Sequence, residues 1–254
     1  MQIYVINLTR RADRLAKMDT ALKALGLPYT RIEAIDGADA DIGQPKDHGL
    51  PASAYACYLS HLKAYRAFLE TGDSHCVIME DDVALSPHLP KALSSSQFYE
   101  DKNAIIRLEA PANNHWQKPS FHMPRAVQTF NGLATYKLIT QSYGTGAFVL
   151  PRGIAKRVLA QQTSPELDID VRLFHQHRPR HLGFNILQFS PALAIQRQYS
   201  EKLDDSDIHP ERLRREQPHN IHPMLRNLIG NLRVIFYSLT WLTACNRRFP
   251  FANK

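Results

Sequence analysis

An α/β fold with a mostly parallel central sheet is predicted by three observations. Short apolar runs alternate with longer segments whose apolar residues recur at helical spacing, glycine and Asp-Gly punctuation separates them, and the run Val77-Ile78-Met79 breaks directly into Glu80, Asp81 and Asp82. The first strand is Gln2-Ile3-Tyr4-Val5-Ile6, followed by a basic turn from Asn7 to Arg14. From Asp13 onwards Leu15, Met18, Leu22 and Leu25 share one helical face until Gly26 stops it. Residues 29–35 read as a second strand closed by Asp36-Gly37, and 38–49 as a polar connection. Ser53 is the expected N-cap of a helix carrying Tyr55, Tyr58, Leu59, Leu62 and Leu69, with Gly72 ending it. The turn Thr71-Gly72-Asp73-Ser74 then leads into a buried strand over 76–79. Further strands are expected over 104–108 and 148–150, the second entered through Gly144-Thr145-Gly146, with a long loop over 110–124.

Composition divides the 254 residues into a domain over 1–198, a charged linker over 199–219 and a basic amphipathic tail over 220–254. In the tail, Leu225, Leu228, Ile229, Leu232, Ile235, Phe236, Leu239 and Leu242 form a helical apolar face, with Trp241 near it, flanked by Arg226, Arg233, Arg247, Arg248 and Lys254. Its uncharged part, 234–245, falls short of the roughly 20 residues that a bilayer crossing needs. Such a helix either lies in the interface of an anionic membrane or docks on the core. The hydrophobic content of 44% is ample for a core, and the net charge of +7 favours anionic partners. Nucleic acid is disfavoured among them by the apolar character of the tail and the absence of a nucleic-acid motif. Cys57, Cys76 and Cys245 are odd in number and scattered, which points to reduced thiols in a cytosolic protein. The N-terminus runs straight into a strand without the pattern of a secretory signal.

Three adjacent carboxylates at a strand end repel one another, which raises at least one pKa unless a cation sits between them. Hard oxygen donors suit Mg²⁺ or Mn²⁺, and the carboxyl edge of an open α/β sheet is where ligands bind. The plain alternative is a solvated acidic turn. The turn at Gly144 to Gly146 reads either as a close backbone approach to a ligand or as a tight turn with no other purpose.

Several segments in one order resemble glycosyltransferase family 25, which includes bacterial lipooligosaccharide galactosyltransferases. They are Val5-Ile6-Asn7-Leu8 with Arg10, Arg11 and Arg14; Ala34-Ile35-Asp36-Gly37; Ala56-Cys57-Tyr58-Leu59-Ser60-His61; Met79-Glu80-Asp81-Asp82-Val83; and Gly144-Thr145-Gly146-Ala147-Phe148. The match extends to about Gln196. Many relatives carry Gly-Glu shortly before the Ala-Cys pair where this chain has Ser53-Ala54, so the resemblance carries no role for that glutamate here.

The resemblance implies a GT-A nucleotide-sugar fold, a UDP-sugar donor and inversion at the anomeric carbon, and the leading expectation is transfer of galactose from UDP-galactose, through β-1,4 linkage, to a core sugar of lipooligosaccharide. Together with the reduced thiols and the basic amphipathic tail, it leads to the expectation of a cytoplasmic protein, peripheral on the inner face of the bacterial cytoplasmic membrane. A Mn²⁺ or Mg²⁺ ion would neutralise charge developing on the leaving diphosphate. Asp82 is the expected direct ligand, with Glu80 as ligand or nucleotide contact and Asp81 beside them; His175, His177, His181 and Gln196 are candidates for a further ligand. Arg10, Arg11 and Arg14 follow the first strand, where guanidinium groups meet phosphate or uracil oxygens through paired hydrogen bonds, and Asn7 and Thr9 add polar contacts. His61 is expected as a nucleotide or supporting contact, or as a satisfied structural histidine. Inversion needs a base for the acceptor hydroxyl, for which Asp170 and Asp168 are the candidates, Asp170 having a helix-capping role as its alternative. Glu109, after Ile105-Ile106-Arg107-Leu108, is a weaker candidate for contact with the donor sugar. The competing readings are a catalytically silent sugar-nucleotide or membrane-binding scaffold, and a family member using another UDP-sugar.

Overall fold

Strand β1 (Gln2–Asn7) shows the rule on which the whole sheet is built. Successive side chains point to opposite faces, so Ile3 and Val5 enter one core while Tyr4 and Ile6 enter the other. The computed structural model describes residues 1–39, 42, 49–109, 121–122, 126–130, 132–138, 142–161, 167–174, 182–200 and 245–246. After β1 come α1 (Ala12–Ala24), β2 (Thr30–Glu33), α2 (Ala52–Leu69), β3 (His75–Glu80), β4 (Val83–Leu85) and α3 (Leu89–Ser94). A 3₁₀ turn over Ser96–Tyr99 precedes β5 (Ala104–Arg107), β6 (Phe121–His122), β7 (Gln128–Phe130) and β8 (Leu133–Lys137). The chain continues through β9 (Ala147–Pro151), α4 (Arg152–Ala160), α5 (Ile169–Phe174), β10 (Asn185–Ser190), β11 (Ala194–Gln196), α6 (Arg197–Ser200) and β12 (Cys245–Asn246).

The main sheet has eight strands in the order β2-β1-β3-β9-β5-β10-β8-β7. Its pairings β1–β2, β1–β3 and β5–β10 are parallel, whereas β9 is antiparallel to both β3 and β5, and β8 is antiparallel to β10 and β7. The sheet is therefore mixed, not mostly parallel. The reason is that an apolar run reports burial and not direction: β9 is buried at every position, much as β3 is, yet it runs the other way. Two small sheets pair β11 with β4 and β12 with β6.

One core lies under α2, α4 and α5 and includes Tyr58, Leu62, Tyr65, Phe68, Ile78, Phe148, Ile154 and Phe174. The other lies under α1 and α3 and includes Met18, Leu22, Val77, Met79, Leu89, Phe98 and Phe189. Several boundaries differ from expectation for local reasons. Helix α2 starts after Pro51, whose extended ψ of 149° sets up the first turn, so Ser53 lies inside the helix and not at its cap. Its end is held from outside: the Arg152 guanidinium donates to the carbonyls of Phe68, Leu69, Thr71 and Asp73 and lies over the Phe68 ring. Phe68 and Leu69 belong to the last turn of the helix, where carbonyls run short of intrahelical partners and a cation is favoured, and Thr71 and Asp73 lie in the turn that follows. Strand β2 stops at Glu33 because the backbone N–H of Ile35 turns away to the Ser60 hydroxyl on α2. Phe121 and His122 form a short strand within the expected loop. Cys245, the last residue of the expected apolar tail segment, is paired in that same small sheet. The linker beyond Ser200, the tail apart from Cys245 and Asn246, and His175, His177 and His181 lie outside the described residues.

Candidate active site at the carboxyl edge of the sheet

From β1 the chain crosses to β2 on one side and later to β3 on the other, so the carboxyl ends of β1 and β3 flank a topological switch point. That is where open α/β sheets open a crevice for ligands. The carboxyl end of β5 and the amino end of β9 reach the same edge, because β9 enters between β3 and β5. The backbone joins them there: the Glu80 N–H donates to the Gly146 carbonyl at 2.9 Å, and the Glu109 N–H to the Ala147 carbonyl at 3.2 Å.

Strand alternation divides the acidic triplet. Glu80 shares the parity of Cys76 and Ile78 and faces α2, where its Oε1 accepts the Thr145 hydroxyl at 2.5 Å and lies 3.1 Å from His61 Nε2. Asp81 faces α1 instead. Its Oδ2 accepts the Asn7 amide at 2.6 Å and its Oδ1 meets the Arg14 guanidinium at 3.4 Å. Burial pushes the Asp81 pKa up, against the pull of Asn7 and Arg14. Asp82 lies beyond the strand, and its Oδ1 is buried with no hydrogen-bond partner among the described residues. Burial and repulsion from Glu80 and Asp81 hold its carboxyl well above the ordinary range. An acceptor left in this state is costly unless something positive meets it. The solvated-turn alternative is therefore overturned, since Asp81 is buried and Asp82 carries a buried oxygen.

Gln196 is brought close: it pairs with Val83 in the β11–β4 sheet, and the Arg197 N–H donates to the Asp82 carbonyl at 2.7 Å. Gln196 itself accepts the Gln198 side-chain amide at 2.9 Å. The basic loop separates by residue. Arg14 turns inward to Asp81, Arg10 pairs with Asp36 at 2.7 Å, and Arg11 forms a two-point contact with Asp13, each bond at 3.1 Å. Thr9 bonds Glu33 at 2.6 Å. Arg31, which periodicity does not single out, donates to the Asn7 side-chain oxygen at 3.0 Å and to the Thr9 hydroxyl at 3.2 Å. His61 is fully buried, stacks on Phe148 and edges against Tyr65, so it supports Glu80 from within the core.

The glycine turn closes around a side chain of this protein. A Cβ on Gly144, whose φ is +83°, would stand 3.2 Å from the Glu109 carboxylate oxygens. One on Gly146 would stand 2.9 Å from Val83 Cγ1 and 3.0 Å from Glu109. The Gly146 N–H donates to Glu109 at 2.9 Å, and the Gly144 N–H donates to Asp170 at 3.1 Å. Arg107 is fully buried, donates to the carbonyls of Tyr143 and Gly144 at 2.8 Å each, lies 3.6 Å from Glu109, and covers the Phe174 ring at 4.3 Å. Burial pushes the Glu109 pKa up to about 7, partly offset by Arg107 and reinforced by Glu80 and Asp170. Arg107 was detectable in sequence as one cation inside an apolar strand, a costly arrangement that implies a partner. Asp168 is half-buried directly before α5, where its carbonyl accepts the Arg172 N–H at 2.9 Å, so it occupies the capping position. Asp170 lies within the helix and clamps the turn.

A family model described as "Glycosyltransferase family 25 (LPS biosynthesis protein)" matches residues 1–173, which contain the acidic triplet, the basic loop, His61, Arg107, Glu109, the glycine turn, Asp168 and Asp170. The chain belongs to glycosyltransferase family 25. The chain is on that ground a glycosyltransferase, whose class uses a sugar-nucleotide donor and a glycan acceptor. It is 26% identical to the lacto-N-neotetraose biosynthesis glycosyltransferase LgtB of Neisseria meningitidis serogroup B, over 90% of this chain and 92% of that one. It is 23% identical to LgtE of the same organism, over 80% and 76%. Of solved structures, a glycosyltransferase involved in glycosylation of the major capsid of PBCV-1 overlays with a TM-score of 0.40 at 11% identity, over 77% of this chain and 92% of that one, a likeness too loose to bear on the site. Among the described residues, no helix is long and apolar enough to cross a membrane.

Proposed function

We propose that this family 25 enzyme is an inverting, metal-dependent GT-A galactosyltransferase that moves galactose from UDP-galactose to a core sugar of lipooligosaccharide. The observation that carries the metal dependence is the buried, unpartnered Oδ1 of Asp82 at the switch point. Asp82 would hold Mn²⁺ or Mg²⁺, with Gln196 near enough along the chain to share the role. Bound there, the cation supplies Lewis-acid stabilisation of the leaving diphosphate. Asn7 and Asp81 tie the ends of β1 and β3 together, keeping the crevice in shape, while Arg10, Arg11 and Thr9 border it as nucleotide contacts. Glu80 is braced by His61 and Thr145. Asp170 is the proposed base, and Glu109 is the carboxyl sharing its turn.

The test is UDP release from a panel of UDP-sugars, with and without Mn²⁺, in the presence of a lipooligosaccharide acceptor. Preference for UDP-galactose with loss of turnover on chelation supports the assignment. UDP binding without turnover for any donor, unchanged by Asp170→Asn, would identify the scaffold reading instead. A pH–rate profile flattened by Glu109→Gln and not by Asp170→Asn would move the base to Glu109. The enzyme is further proposed to work on the inner face of the cytoplasmic membrane, held by its basic amphipathic tail.

A further inference from the structure

We propose that Cys57, His61 and Glu80 form a binding site for a soft divalent cation such as Zn²⁺, separate from the hard-oxygen site at Asp82. One ligand atom from each, the Cys57 Sγ, a His61 ring nitrogen and a Glu80 carboxylate oxygen, all lie within 4.8 Å of one another. Cys57 and His61 stand four residues apart on α2 and therefore on one helical face. Strand parity turns Glu80 toward that same face, while Asp81 turns away from it.

The donor set decides the class of ion. A thiolate, an imidazole and a carboxylate together match zinc, whereas Mg²⁺ and Mn²⁺ favour oxygen alone. Zinc bonds of about 2.0–2.3 Å at tetrahedral angles place neighbouring ligand atoms roughly 3.3–3.6 Å apart. His61 Nε2 and Glu80 Oε1 already stand 3.1 Å apart, so rotation of the Cys57 side chain is the principal adjustment needed. The imidazole is also pre-set. Its Nδ1 lies 3.5 Å from the Tyr65 hydroxyl and its ring stacks on Phe148, which directs Nε2 at Glu80 as outer-shell contacts do in metal sites. The Cys57 thiol that completes the set is half-buried and in no disulfide. Three protein ligands leave a fourth position for water or an exogenous oxygen.

The full chain, stripped of metal under reducing conditions, is titrated with Zn²⁺ against a chromophoric chelator and, separately, with Co²⁺. One Zn²⁺ per chain is expected, and Co²⁺ should give a thiolate-to-metal charge-transfer band that a large excess of Mg²⁺ leaves in place. Cys57→Ser, close to isosteric at a half-buried position, should abolish the band and weaken Zn²⁺ binding at least about 10-fold, whereas Cys245→Ser should do neither. Glu80→Gln, with folding checked by circular dichroism, should weaken Zn²⁺ binding while keeping the thiolate band. Binding and band unchanged in Cys57→Ser, displacement of Co²⁺ by Mg²⁺, or no Zn²⁺ uptake against the chelator would each overturn the site.

Discussion

At the scale of single residues, the three carboxylates after β3 have three different surroundings, and each predicts a different response to substitution. Asp82 keeps a buried oxygen without a partner, and its pKa is held well above normal by burial and by its two neighbours. A carboxyl whose folded pKa is raised loses stability as pH climbs above its unfolded value near 4. Asp82→Asn should therefore stabilise the metal-free protein at neutral pH by about 1 kcal/mol or more, an advantage that vanishes toward pH 3. The same substitution should lower sugar transfer at least about 100-fold, read by UDP release beside thermal melts in chelator. An Asp82→Asn protein that melts lower and transfers normally would show that Asp82 is structural. Glu109 obeys the same sign. Its rise from 4.5 to about 7 predicts that stability falls between those pH values, by up to about 3 kcal/mol. Urea midpoints measured across pH should show that slope in the parent and a flatter one in Glu109→Gln, which keeps an acceptor for the Gly146 N–H.

At the scale of elements, the turn from Gly144 to Gly146 is shaped by what it encloses. Gly144-Thr145-Gly146 stands out in sequence, but the group it wraps is Glu109, 37 positions before Gly146. Gly146→Ala should destabilise by about 1–3 kcal/mol, because the added methyl meets Val83 and Glu109 inside van der Waals distance. Combining it with Glu109→Ala should cost less than the sum of the two single changes, since the second removes one of the two obstructions. Strict additivity in denaturation would place the strain elsewhere. The positions of α1 and α2 were legible because their apolar residues recur at helical spacing, and that of β3 because it is a short apolar run entered through a turn. Their ends were less so. The start of α2 is set by the backbone of Pro51 and its finish by Arg152 from a distant helix, and no window of local sequence contains that contact.

At the scale of the whole molecule, the mixed sheet brings together side chains scattered from Asn7 to Gln196 at one edge, with the tail attached beyond them. If the tail anchors the enzyme to anionic lipid, deletion after Pro223 should abolish cosedimentation with anionic liposomes while leaving transfer to a soluble acceptor intact. Loss of folding on that deletion would instead identify the tail as a packed part of the core. The sequence by itself determined the α/β class, the placement of the acidic triplet at a strand end, and the family. These rest on short-range patterns of burial and on motifs that survive in order along the chain. Only the tertiary structure decided that β9 runs antiparallel, that Arg107 and Glu109 lie inside the glycine turn, and that the triplet is shared between two faces. The physical reason is that strand direction and side-chain partnership depend on neighbours remote in sequence. Glu80 meets His61 and Thr145, Asp81 meets Asn7 and Arg14, and Asp82 is left with a buried oxygen that has no partner among the described residues.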